Sequence, residues 1–160
     1  MIRRIVVAAL LLTALSPVAV ADKKIKLDPT CKRDQSIMAF QKTIKANGGA
    51  IDTIHLKNGL IVLVTARSAK AAKAIQAAAA DYRTQEDKAA GEKGNSLDPH
   101  CQTLLRLMQQ GTVTAETHNI AEGVMLVYLT ADPGTVVTIQ DDCCKWCTCP
   151  SSNWRCSGCC

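Results

Sequence analysis

Apolar and polar residues alternate over two short stretches of the chain, 51–56 and 113–118. In the first, Ile54 and Leu56 oppose Thr53 and His55; in the second, Val113 and Ala115 oppose Glu116 and His118. A period of two predicts half-buried strands. Two further stretches, 60–64 and 124–129, are apolar throughout. They predict strands covered on both faces. Asn58-Gly59 and Glu122-Gly123 stand between the members of each pair and predict hairpin turns. Helix starts flank both hairpins. Asp28-Pro29 and Asp98-Pro99 each offer an N-cap carboxylate followed by proline at the first helical position. Ser68 caps an alanine-rich helix expected over 68–82, and Asp132-Pro133 opens a shorter one rich in β-branched residues.

These elements form the same order twice. Leu27-Asp28-Pro29-Thr30-Cys31 recurs as Leu97-Asp98-Pro99-His100-Cys101 seventy positions later, with Met38 and Met108 also in register. Ile75-Gln76 and Ile139-Gln140 mark similar places in the later helices. The expected fold is α+β: an internally duplicated helix–strand–strand–helix unit forming a four-stranded, mainly antiparallel sheet with packed helices. A first unit over 22–82 and a second over 97–142 are joined by a polar linker, 83–96, within an exposed stretch that begins at Asp81. Residual apolar surface on the sheet is a candidate homodimer face.

The residues after position 142 fit neither pattern. They read CCKWCTCPSSNWRCSGCC and hold seven of the nine cysteines and both tryptophans. Cys143, Cys144, Cys147, Cys149, Cys156, Cys159 and Cys160 include two C-x-x-C units, 144/147 and 156/159. Such a turn brings two sulfurs together in a way that suits a tetrahedral ion, and an all-sulfur set favours soft ions such as Cu(I) or Zn(II). The competing reading is a disulfide knot, although adjacent cysteines bond to each other only with strain. Cys31 and Cys101, with His100, form either a second soft-metal site or a disulfide between the two units. Pairing them leaves an odd seven thiols in the tail. Helically spaced Met38 and Met108 are expected core filler, and His55 and His118 polar-face strand residues. The 143–160 segment is expected to be a separable appendage on a scaffold that closes without it.

Composition and the N-terminus set the compartment. Arg3 and Arg4 precede an apolar run over 5–15, and Ala19-Val20-Ala21 presents small residues, so 1–21 reads as a signal peptide cleaved after Ala21. The run is short for a membrane span and Pro17 interrupts it, so no stable insertion is expected after cleavage. A periplasmic or secreted location follows, in an oxidising compartment. The formal charge of +5 is scattered, without a basic stripe interleaved with aromatics, which argues against nucleic acid. No Ser-His-Asp arrangement, P-loop, dinucleotide glycine pattern or H-E-x-x-H occurs, so no enzyme is expected. The function expected is soft-metal buffering, scavenging or delivery through the tail. The alternative is a non-catalytic module with a disulfide-stabilised tail that contacts an envelope protein partner.

Overall fold

The structure, a computed structural model, describes residues 27–91 and 99–146, with the backbone alone at 99–101, 143 and 144. The expected signal segment and residues 147–160 lie outside the described part. Four strands, β1 (Ala50–Leu56), β2 (Gly59–Thr65), β3 (Val113–Ile120) and β4 (Gly123–Thr130), form one sheet in the order β1-β2-β4-β3. Every neighbouring pair is antiparallel. The α+β expectation therefore holds. The helices are α1 (Lys32–Ala46), α2 (Ala69–Gly91), α3 (Pro99–Gln109), α4 (Pro133–Asp141) and the single turn α5 (Cys143–Trp146).

The two inner strands meet through glycine. A Cβ on Gly59 would overlap the Tyr128 carbonyl oxygen, and one on Gly123 the Val64 carbonyl oxygen. Each hairpin turn thus ends in a residue that lets β2 and β4 pair along their whole length. Helices reach the hairpins through matching stops. Gly48 and Gly111 take φ of +61° and +70°, and the residues after them donate back to Ile44 O and Leu107 O, both at 2.9 Å. This is the Schellman end that glycine adopts without strain.

The helices all pack on one face. Leu60, Val62, Val64, Val124, Leu126 and Tyr128 point into a core with Ile37, Phe40 and Ile44 of α1, Ile75 and Tyr82 of α2, Leu104 of α3 and Ile139 of α4. The other face carries Ile61, Leu63, Met125 and Leu129, all part-exposed, with Ile54 on the edge strand 46% exposed. The expectation that both faces of the inner strands are covered is thus corrected among the described residues. Continuous apolarity there reflects one buried and one half-open face. Ile54 accordingly lies on the open side, because it pairs with Ile61.

Pairing follows a constant spacing. Leu60 pairs with Tyr128 and Val64 with Val124, while the β1–β2 and β3–β4 registers superpose on a shift of sixty-four positions. Two glutamines repeat the shift. Gln76 Nε2 of α2 donates to Ile120 O (2.8 Å) and Gly123 O (3.0 Å) at the second hairpin. Gln140 Nε2 of α4 donates to Leu56 O (2.8 Å) and Gly59 O (3.3 Å) at the first. Each late helix therefore ties down the other hairpin's turn.

Three helix expectations need correction. Helix α1 begins at Lys32, not Pro29, because the Asp28 carboxylate instead accepts from Thr30 N (2.8 Å) in a local turn. Cys31 is the N-cap. Helix α2 runs to Gly91, so residues 83–91 are helical and not linker. Met38 is 36% exposed, whereas Met108 packs against the core. Among the described residues, no helix is long and apolar enough to cross a membrane.

Candidate functional site

The stripe of α1 that buries Ile37, Phe40 and Ile44 continues backwards to Arg33, and that of α2 continues forwards from Tyr82 to Glu86 and Ala89. Helical spacing thus carries an arginine and a glutamate into the interior side by side. Arg33 is fully buried and donates from Nε to Glu86 Oε1 (2.6 Å). Its two terminal nitrogens bond both carboxylate oxygens of Asp142, at 2.9 and 2.6 Å. Tyr82 and Tyr128 share a hydroxyl–hydroxyl bond (2.8 Å), and Tyr82 also donates to Glu86 (2.7 Å). Arg83, at the rim, donates to the other oxygen of Glu86 (2.9 Å).

The electrostatics follow from this enclosure. Burial opposes the Arg33 charge, but Asp142 first, with Tyr82 and Glu86, raises its pKa well above the ordinary arginine value. Burial, followed by the Glu86 carboxylate, pushes both tyrosine hydroxyls up. They stay neutral and donate. The fork geometry between Arg33 and Asp142 is what a buried arginine needs to satisfy its donors.

A second ion pair lies beside the first. Lys145 is 1% exposed, and its Nζ donates to Asp34 Oδ1 (2.9 Å) and Oδ2 (3.0 Å). Asp34 also accepts from Asp28 N (2.9 Å), while its own N–H points at Cys31 Sγ (3.4 Å). Trp146 is 1% exposed and stands edge-on to Phe40 and Tyr82, with ring centroids 6.2 and 5.3 Å away. Gln41 Nε2 caps the carbonyls of Lys145 (2.9 Å) and Trp146 (3.3 Å). The first turn of the cysteine segment is therefore packed into the core. This corrects the expectation of an appendage beginning at 143, and Asp142, 2% exposed, belongs to the same interior.

Of the expected site residues, Cys31 is described in full: it is 0% exposed and packs with Ala89 and Leu105. The backbones of His100, Cys101, Cys143 and Cys144 are placed on α3 and α5. Cys147, Cys149, Cys156, Cys159 and Cys160 lie outside the described residues. His55 and His118 are both exposed, on opposite edge strands. Sequence reasoning missed Arg33, Asp34, Glu86 and Lys145. The available signal was the three-and-four spacing of α2, which runs through Ile75, Ala79, Tyr82, Glu86 and Ala89 without a break.

Chemically, the cluster is a clamp. Its charges are paired and sealed from solvent, so it offers a substrate no approach. Among the described residues, a 380 Å³ cleft between α1 and α2 is lined by Lys32, Gln35, Ser36, Gln85, Lys88 and Ala89, none of them a carboxylate that could serve as acid or base. Among the described residues, no three His, Cys, Asp or Glu side chains converge as metal ligands. No family model matches the chain, and neither a curated protein nor a solved structure matches it significantly.

Proposed function

We propose that this is an exported soft-metal-binding protein. Its ligands are drawn from Cys143, Cys144, Cys147, Cys149, Cys156, Cys159 and Cys160, and its role is to buffer, scavenge or deliver an ion such as Cu(I) or Zn(II). The supporting observation is the anchoring of Lys145 and Trp146, the two residues between the cysteines of the first C-x-x-C unit. A thiol pair whose spacer is pinned loses less conformational freedom on gathering round an ion than one on a free chain. The reading assigns no catalytic step, and the expected export signal places the protein in the periplasm or outside the cell.

The scaffold is read as a duplicated αββα unit. In support, strand registers, hairpin glycines and clamp glutamines all recur at one shift. The helix ends recur sixty-three positions apart, whereas the Cys31 and Cys101 motifs are seventy apart. The difference of two helical turns preserves the face but not the height. Cys31 and Cys101 are proposed to form a disulfide, not a second metal site with His100. In support, Cys31 is fully buried and packs on Leu105, one turn beyond Cys101.

The same proposed pairing of Cys31 favours a second reading, in which the tail too is oxidised and serves as a knob for an envelope partner. One measurement separates the two. The mature chain is purified without chelator, its metal content is measured by mass spectrometry and its thiols by Ellman titration. Stoichiometric metal that vanishes in a chain ending at Trp146 supports the first reading. No metal and at most one free thiol sinks it.

A further inference from the structure

We propose that the open face of the sheet is the contact surface of a homodimer, whose two copies are related by a two-fold axis running along the strands. Two cross-strand rows carry the argument. Asp52, Leu63, Met125 and His118 stand in one line across β1, β2, β4 and β3; Ile54, Ile61, Val127 and Glu116 stand in the next. Both rows place apolar residues on the inner strands. Asp52, Glu116 and His118 are exposed on the outer strands. An apolar centre with a rim that is polar in these rows at all but Ile54 is the layout of a protein interface.

Charge selects the occupant. Rotation about an axis along the strands lays β1 of one copy over β3 of the other and keeps each row opposite itself. Asp52 then faces His118 of the second copy at both ends of the row, and Leu63 meets Met125 in the middle. Sheets stacked about 10 Å apart leave room for these side chains to meet. His118 Nε2 lies 2.9 Å from Glu116 Oε2 within its own strand, so the ring sits in an acidic setting that a second carboxylate extends. The first row is thus self-complementary, which a two-fold interface requires.

Area sets the strength. Four strands spaced by roughly 4.8 Å and about 24 Å long project to about 450 Å² per copy, so the pair buries on the order of 1,000 Å². That is the small end for specific contacts, and a reversible dimer in the micromolar range is expected.

The test is sedimentation velocity of the full mature chain up to about 100 µM, where a micromolar dimer is populated. Non-reducing electrophoresis beside it separates non-covalent dimers from ones linked through cysteine. Replacing Leu63→Glu should give a folded monomer by circular dichroism. Asp52→Lys removes the carboxylate that faces His118, and His118→Asp sets two carboxylates face to face; each should weaken the dimer roughly tenfold or more. The Asp52→Lys/His118→Asp double variant should recover it to within about threefold, since the swap restores attraction. A wild-type monomer throughout, a dimer indifferent to Leu63→Glu, or a double variant no better than its parents overturns the proposal.

Discussion

Arg33, Glu86, Asp142, Asp34 and Lys145 are charged residues held at 0–2% exposure, which is tolerable only because each is paired and hydrogen-bonded. Removing one partner leaves the other stranded. Lys145→Ala should cost about 3–5 kcal/mol in chemical denaturation, because Asp34 then remains as a buried, uncompensated carboxylate. Lys145→Met combined with Asp34→Asn should recover part of that loss. The tyrosines give a second test. The chain has two, Tyr82 and Tyr128, and both are buried with raised pKa values. A pKa raised on folding contributes stability that is full below the unfolded value, about 10, and is lost as pH rises beyond it. Tyrosinate absorbance at alkaline pH should therefore appear only together with loss of the helical signal. A non-cooperative titration near the free-tyrosine value, with the fold intact, would contradict the burial.

The short helix α4 depends on its cap. Asp132 accepts from Thr135 Oγ1 (2.6 Å) and Gly134 N (3.2 Å), and these bonds, Thr135 first, lower its pKa. A pKa lowered on folding contributes stability that is present above the unfolded value and lost as pH falls through the folded one. Asp132→Asn should flatten the acid limb of a stability–pH curve while leaving neutral stability nearly unchanged, since asparagine also caps well. At the hairpins, Gly59→Ala or Gly123→Ala should cost about 1–3 kcal/mol by forcing β2 and β4 apart. Thermal denaturation of each variant, corrected for helix content, is the check. The turns, the cap at Asp132 and the strands of this layer were readable because they rest on neighbours in sequence. The start of α1 was not. Asp28-Pro29 and Asp98-Pro99 look alike, yet only Pro99 opens its helix; the Asp28 carboxylate turns onto Thr30.

For the molecule as a whole, the cysteine segment is rooted through its first turn, 143–146. A chain ending at Trp146 should keep near-native thermal stability. A chain ending at Asp142 loses the Trp146 ring that stands edge-on to the stacked Phe40 and Tyr82, and the Lys145 partner of Asp34. A buried Trp→Ala change alone costs about 3–5 kcal/mol, so this shorter chain should be severely destabilised or fail to fold. Equal melting temperatures for the two truncations would show that the root contributes nothing.

Local chemistry in the chain determined which segments are strands, where the hairpins turn, where α4 begins and which residues repeat. Each of these follows from side-chain period, glycine, proline or a capping carboxylate within a few positions. The tertiary structure alone decided which face of the sheet is covered and which charges are interior. Arg33 meets Glu86 across 53 positions and Asp142 across 109, and Lys145 meets Asp34 across 111. A lysine in a cysteine-rich tail carries no local mark of burial, and the glutamate carries only its place in the three-and-four spacing of α2, which does not name its partners. Their pairing becomes favourable only when the two ends of α1 and α2 and the root of the tail have been brought together by packing, which excludes water and makes each charge depend on the other.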